Sequence, residues 1–160
     1  MQRILSLLLV AVIAIVCVGC GGDDATGPGN SKGSMSAKIS SASWSATTVQ
    51  STYTSGVLAI GGSQINGSQN KQINIQGLIS APGTYQLGLI SPITANYTEA
   101  DGPSAAQIKT FSCTSGTLKV DELSATGAKG TFSLEMREQG SSGAGTATRS
   151  ITEGTFNVTF

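Results

Sequence analysis

Residues 130–136 read GTFSLEM, and this stretch decides the fold class of the chain. Its large apolar residues, Phe132, Leu134 and Met136, occupy every second position. Successive side chains of a β-strand point to opposite sides, so this spacing puts all three on one face and the polar residues between them on the other. The pattern is typical of an antiparallel strand with one face in the core and one in water.

The same period of two recurs along the chain from residue 35 onwards. It predicts strands that include Val57–Gln64, Gln72–Ile79, Tyr85–Leu89, Thr117–Leu123 and Phe156–Phe160. No window carries an apolar stripe with helical spacing. The sequence therefore predicts an all-β fold, either an antiparallel β-sandwich or a small barrel of about eight or nine strands.

Glycine- and proline-containing steps predict where these strands turn. Ser55-Gly56 indicates a hairpin, Ala81-Pro82-Gly83 a tight turn, and Ser115-Gly116 a break before the strand at Thr117. Ile90–Ile108 is less regular and is predicted to be a long connection with one short strand near Ala95–Thr98. The alternating apolar residues form the predicted core: Ile39, Leu58, Ile60, Ile73, Ile75, Tyr85, Leu87, Leu118, Val120, Phe132, Leu134, Phe156 and Val158.

The N-terminal segment has the pattern of an export signal. Arg3 is followed by the almost wholly apolar run Ile4–Val18, which is shorter than the roughly 20 residues of a membrane helix. The run ends in Val18-Gly19-Cys20, which resembles the lipobox of bacterial lipoproteins. That resemblance implies cleavage before Cys20 and acylation of its thiol. An ordinary signal peptide cut near Gly19, or an uncleaved anchor, remains the alternative.

The segment after the cysteine is predicted to be a tether. Gly21–Ser34 has no large apolar residue and is rich in Gly, Ser, Asp and Pro, so it cannot bury enough surface to offset its ordering entropy. We expect residues 1–19 to be a signal peptide, 20–34 the lipidated cysteine and a flexible tether, and 35–160 one β-rich domain. Glycine instead of aspartate in the sorting position favours, by the same resemblance, the outer membrane, with its periplasmic or surface face left open.

Several short motifs of the domain are similar to those of one family. The strand Met35–Ile39 followed by Ser43-Trp44-Ser45-Ala46, the strands Gly116–Val120 and Gly130–Phe132, and the ending Gly154–Phe160 resemble a domain-of-unknown-function family of small β-rich envelope lipoproteins. The resemblance implies a fold and a location, and it implies no chemistry and no cofactor.

Charge and composition exclude several classes of function. The 9 basic residues balance the 9 acidic ones, which does not favour nucleic-acid binding because that needs a basic surface. The chain has no histidine, and therefore lacks the commonest general base and the commonest metal ligand. Neither a cofactor nor a metal site is expected. Cys113, with no histidine to activate it, is expected to be a small buried hydrophobe.

Two weaker candidate sites remain. Paired carboxylates are the one route to a hydrolase, and the candidate pairs are Glu99 with Asp101, Asp121 with Glu122, and Glu135 with Glu138. Adjacent residues on a strand point to opposite faces, so Asp121 and Glu122 cannot act on one bond. Glu99 and Asp101 could also contribute oxygens to a calcium site. Trp44, Tyr53 and Tyr97 could contact a ligand by stacking on sugar rings, although a single tryptophan in a small domain is more often a core anchor.

The sequence predicts a protein without enzymatic activity. We expect a lipid-anchored envelope β-domain that binds a ligand, such as a glycan, or another envelope protein, and whose only membrane contact is the lipid on Cys20. A structural or assembly role in an envelope complex is the alternative, and a carboxylate-based hydrolase carries low weight.

Overall fold

The computed structural model describes residues 33–102, 108–140 and 147–160. These residues form ten antiparallel strands, and no helix occurs among them. The predicted all-β class is therefore confirmed. The strands are β1 Gly33–Ile39, β2 Ala42–Ser45, β3 Thr48–Thr54, β4 Val57–Asn66, β5 Gln69–Leu78, β6 Gly83–Gly88, β7 Ile93–Ala100, β8 Ile108–Leu123, β9 Gly127–Glu138 and β10 Thr148–Thr159.

All ten strands belong to one sheet with the order β2-β1-β10-β9-β8-β7-β5-β4-β3, in which β6 also pairs with β8. The two ends of this order are consecutive in sequence. The Ala46 amide donates to the Met35 carbonyl at 2.9 Å, and the next amide, Thr47, donates to the Ser63 carbonyl at 2.7 Å. The chain thus changes partner between residues 46 and 47, from β1 to β4. This switch curls the sheet into a barrel-like shape with a packed interior.

The long strand β8 differs most from the sequence prediction. Its first part pairs with β7, its second part pairs with β6, and both lie along the same edge. The turn predicted at Ser115-Gly116 is wrong, because β8 passes through it with a register shift between Cys113 and Ser115. A Cβ on Gly116 would lie 2.6 Å from the Ser133 carbonyl oxygen, so glycine here allows close strand approach.

Serine and glycine residues with positive φ make the tight turns. Ser40 and Ser41 have φ of 47° and 73°, and they reverse the chain between β1 and β2. Ser55 and Gly56, at 53° and 79°, form the predicted β3–β4 hairpin. The predicted short strand near Ala95–Thr98 is the longer strand β7. The described residues thus form ten strands where eight or nine were predicted.

The core fills the interior of the curled sheet. The predicted core residues are buried with one exception, Tyr85, which is half-buried at its edge. The core also contains large buried side chains that the alternating pattern did not single out, including Met35, Ile79 and Phe111. Alternation therefore located the inward face of nearly every strand.

The barrel has two ends, which we call the near end and the far end and define by the strand termini that lie there. At the near end β1 begins at Gly33, β4 at Val57 and β7 at Ile93, while β5 and β10 stop. The Ser51 hydroxyl, from β3, donates to the Thr159 carbonyl there at 2.9 Å, and Tyr53 stacks on Phe160 at 5.6 Å between ring centroids. The far end holds the starts of β5, β8 and β10 and the ends of β1, β4 and β7.

Candidate functional site

The last strand, β10, carries the main irregularity of the outer surface. Its pairing with β9 shifts register between Ile151 and Gly154, and the pairing of β1 with β10 shifts between Ser36 and Lys38. Two ladders are thus disturbed at one place, which is the signature of a β-bulge. Glu153 lies in this bulge with a φ of 51°, a left-handed conformation that costs a non-glycine residue free energy.

Gly154 and Phe132 explain why the bulge lies where it does. A Cβ on Gly154 would lie 2.5 Å from two ring carbons of Phe132 and 2.6 Å from its carbonyl oxygen. Phe132 is a buried core residue of β9. Only glycine permits this close approach. Before it, Thr152 and Glu153 both lie opposite the single residue Ser133, and this extra residue leaves the Glu153 side chain pointing outwards.

Polar side chains of β1 face this bulge. The Lys38 ammonium donates to a Glu153 carboxylate oxygen at 2.8 Å, and both side chains are well exposed, at 43% and 67%. Beside them the hydroxyls of Ser36 and Thr155 are hydrogen-bonded at 2.9 Å. An exposed ion pair of this kind contributes roughly 0–1 kcal/mol to stability, so its groups remain free to exchange partners.

Glu153 separates two depressions of the outer surface. One, of about 460 Å³, extends over β1, β2 and β4 and is lined by Ser36, Lys38, Ser43, Trp44, Ser45 and Gln64 among others. The second, of about 550 Å³, crosses β6, β8, β9 and β10 and is lined by Thr84, Thr117, Lys119, Thr131, Ser133 and Thr155 among others. Both volumes fall in the range of roughly 300–1,000 Å³ that is usual for ligand sites. We call Glu153, Lys38 and the polar lining of the two depressions the bulge site.

The side chains of the bulge site are hydrogen-bond donors and acceptors. Its lining offers serine and threonine hydroxyls, a carboxamide, one carboxylate and ammonium groups. A carboxylate accepts hydrogen bonds from hydroxyls, while ammonium groups and side-chain hydroxyls donate to their oxygens. The arrangement suits a ligand rich in hydroxyl groups.

A second polar cluster lies inside the far end of the barrel. Arg149 of β10 donates to both carboxylate oxygens of Glu99 of β7, at 2.6 and 3.3 Å. The Tyr97 hydroxyl donates to Glu99 at 2.9 Å, and the Arg149 guanidinium lies 5.1 Å from the ring centroid of Phe111. Strands β8 and β9 separate β7 from β10 in the sheet, so these side chains meet across the interior. The cluster holds the far end together.

Burial and charge shift two pKa values in this cluster. Burial, together with the hydrogen bond to Glu99, raises the pKa of the Tyr97 hydroxyl well above its usual range. The hydrogen bond from Arg149 to Glu99 raises the pKa of the guanidinium. Both shifts favour the protonated donors that satisfy the Glu99 carboxylate, which indicates a structural role.

The structure does not bring the predicted aromatic residues together as a sugar-stacking platform. Trp44 is buried, with its indole N–H donating to the Lys71 carbonyl at 3.3 Å, and Tyr97 is buried beside Phe111. Tyr53 is half-buried against Phe160. The stacking platform expected from the sequence is therefore not formed, because Trp44 and Tyr97 point inwards. Period-two spacing alone cannot distinguish an aromatic side chain in the core from one at the rim. The lipidation candidate Cys20 lies outside the described residues.

The other candidates also have structural partners. Cys113 is buried near the Ser115 carbonyl, and burial raises the pKa of its thiol, which disfavours the reactive thiolate. Asp121 pairs with Lys119 at 2.8 Å, and Glu122 lies 3.9 Å from Lys129. Within residues 33–102, 108–140 and 147–160, no three potential metal ligands are grouped.

Sequence reasoning missed Glu153, although the sequence carries a signal for it. Ile151 and Phe156 are both buried, yet the odd number of steps between them breaks the period of two. A change of parity inside one strand requires an extra residue, and a polar residue followed by glycine marks its position.

The fold and the bulge site define the class of the protein as a small β-barrel-like domain with a polar surface site. Comparison with protein families makes this more specific. Residues 31–158 match the family described as domain of unknown function DUF6252, and the chain belongs to that family. No curated protein and no solved structure matches the chain. The described residues include no helix of the length and apolarity needed to cross a bilayer.

Proposed function

We propose that this protein is a lipid-anchored envelope domain that binds a neutral, hydroxyl-rich ligand, such as a glycan, at the bulge site. The observation that carries the proposal is Glu153, held at a positive φ between two hydroxyl-lined depressions and paired with Lys38. Backbone strain of this kind persists only where the surrounding structure imposes it, and it often accompanies function.

The proposal is for binding and not for catalysis. The carboxylates singled out from the sequence are engaged with other groups: Glu99 with Arg149, Asp121 with Lys119, and Glu135 with the Ser150 hydroxyl at 2.9 Å. Assembly by strand addition, the alternative role, has less support. β6 pairs with β8 on one edge, but it is only 6 residues long, which limits what its other edge could pair with. Two of its carbonyls are also occupied, because Ser91 donates to the Gly88 and Gln86 carbonyls, at 3.1 and 2.9 Å.

The envelope location in this proposal rests on the sequence. The lipobox-like step before Cys20 and the polar segment up to Lys32 support an acylated N-terminus at the outer membrane. Mass spectrometry of the N-terminal peptide tests it directly, because mature protein should start at Cys20 and carry acyl chains. Mature protein with an unmodified N-terminus elsewhere would contradict the anchor.

The binding proposal is tested with neutral oligosaccharides. The mature protein is titrated with maltoheptaose, chitohexaose and mannohexaose by calorimetry, and binding to at least one of them is expected. A charge-assisted hydrogen bond contributes about 1.5–3 kcal/mol, so Glu153→Gln should weaken that binding by at least about tenfold. Glu122→Gln, at the exposed pair with Lys129, is the matched control and should leave the affinity unchanged.

Two results would contradict the binding proposal. One is the absence of binding to every neutral oligosaccharide tested. The other is equal loss of affinity in the Glu153→Gln and Glu122→Gln variants, since that would indicate a general charge effect and not recognition at the bulge site.

A further inference from the structure

Large aliphatic side chains are exposed at the near end of the barrel. Ile90 is fully exposed and Leu89 is 83% exposed, and both lie in the loop between β6 and β7. Leu78 is 60% exposed and Val57 is 45% exposed on neighbouring strands. Exposed apolar residues grouped in this way mark contact surfaces more often than isolated ones do.

The strand register places these residues on adjoining elements. Val57 pairs with Leu78 across β4 and β5, and Gly77 pairs with Ile93 across β5 and β7. The loop that carries Leu89 and Ile90 therefore ends, at Ile93, beside Gly77 and Leu78. We call Val57, Leu78, Leu89 and Ile90 the apolar rim.

The stretch of the chain that carries the apolar rim is almost free of charge. Between Lys38 and Glu99 the sequence contains one charged residue, Lys71. Lys71 pairs in register with Glu99 near the far end, away from the rim. A surface could therefore cover the rim without removing a charged side chain of this stretch from water, which would be costly.

The chain outside the structure indicates what that surface is. Residues 21–32 separate Cys20 from Gly33, and Gly33 begins β1 at the near end. Twelve residues span at most about 40 Å. Acyl chains on Cys20 would therefore keep Gly33 within about 40 Å of the bilayer and would attach the barrel to it by the near end.

We propose that the apolar rim docks on the lipid surface of the membrane that anchors Cys20, and this inference rests on the proposed lipid anchor. It changes the sequence expectation that the acyl chains are the only membrane contact. The aliphatic side chains insert among the headgroups without spanning the bilayer, as an interfacial segment does. The docked barrel then has a fixed orientation, with the far end away from the membrane.

Two exposed isoleucines at opposite ends allow a matched test. Ile90 lies in the rim, and Ile65, 58% exposed, lies near the end of β4 at the far end. Mature full-length Ile90→Cys and Ile65→Cys variants are labelled with an environment-sensitive fluorophore, since Cys113 is buried. They are reconstituted into vesicles of phosphatidylethanolamine and phosphatidylglycerol in a 3:1 ratio, with and without brominated lipid.

The label at residue 90 should shift its emission to the blue in vesicles, and brominated lipid should quench it by at least half, while the label at residue 65 stays solvent-like. Solvent-like emission at both positions, in protein shown by mass spectrometry to be acylated, overturns the rim contact alone. Protein without acyl chains overturns the anchor and the rim contact with it. Shielding of residue 90 in native membranes but not in vesicles assigns the rim to a protein partner and overturns the lipid contact.

Discussion

Strand β10 makes two ion pairs that differ in almost every physical respect. Arg149 points inwards and binds Glu99, and the two side chains are only 27% and 10% exposed. Glu153 points outwards and binds Lys38 on the opposite surface of the same sheet, with both groups largely in water. The first pair is enclosed by Tyr97 and Phe111, whereas the second lies between two open depressions.

This difference separates a structural pair from one that is available for binding. Removing one partner of a buried pair leaves a charge without compensation, which is costly. An exposed pair loses little when it opens, because water replaces either partner. The predictions below break each pair in turn, beginning with the largest effect.

Breaking the inner pair should have the largest effect. Arg149→Met keeps much of the side-chain volume but leaves the Glu99 carboxylate buried and uncompensated, so the free energy of unfolding should fall by about 3–5 kcal/mol. Urea denaturation followed by circular dichroism measures it. Adding Glu99→Gln to Arg149→Met should recover part of the loss, and no recovery would show that Arg149 acts through packing alone.

The stability of the fold should be sensitive to added side-chain volume at Gly154, next to the outer pair. Gly154→Ala places a methyl group against the Phe132 ring and backbone, and we expect a loss of about 1–3 kcal/mol in the free energy of unfolding. Gly88→Ala is the control, because a Cβ there would lie 3.5 Å from the Thr114 carbonyl oxygen, an ordinary contact distance, and the backbone does not have a positive φ. An equal loss in both variants would refute the role of close packing at Gly154.

Tyr97 should make the inner cluster sensitive to alkali. Its pKa is higher in the folded state than in the unfolded chain, so the folded state retains this proton more strongly. The resulting stability is fully present below about pH 10, the unfolded value, and is lost as the pH rises towards the folded pKa. The free energy of unfolding should fall by up to about 1.4 kcal/mol per pH unit from this group. In Tyr97→Phe that slope should be smaller, and an unchanged slope would exclude Tyr97 as its source.

Relieving the strain at the outer pair should have the smallest effect. Glu153→Gly removes the penalty of a side chain at positive φ and also removes the exposed ion pair, so stability should stay level or rise by up to about 1 kcal/mol. The same variant should lose oligosaccharide binding. Thermal denaturation beside a binding titration separates the two effects, and a large drop in melting temperature would contradict the assignment of Glu153 to binding.

The inner faces of the strands were predictable from the sequence, and the strand partners were not. Phe132, Leu134 and Phe156 could be placed in the core because a period of two is a local property of the chain. Trp44 and Tyr97 follow the same period, but whether such a ring faces the core or the rim depends on the curvature of the sheet around it. The turn prediction at Ser115-Gly116 was wrong for a similar reason, since a glycine that permits close packing of strands cannot be distinguished by local sequence from a glycine in a turn.

The two ion pairs show the limit of prediction most clearly. Glu99 was singled out only beside Asp101, and Arg149 lies fifty positions further along the chain. Only the curled sheet brings β7 and β10 face to face across the interior.

The sequence by itself determined the all-β class, the alternation that builds the core, and the almost uncharged stretch between Lys38 and Glu99. These are properties of neighbouring residues, and local spacing and composition are sufficient to express them. The tertiary structure alone decided the change of partner between residues 46 and 47, the meeting of Glu99 with Arg149, and the grouping of the apolar rim at the end where Gly33 begins. Each of these depends on contacts between residues far apart in sequence, and such contacts are fixed only when the whole sheet closes around one core.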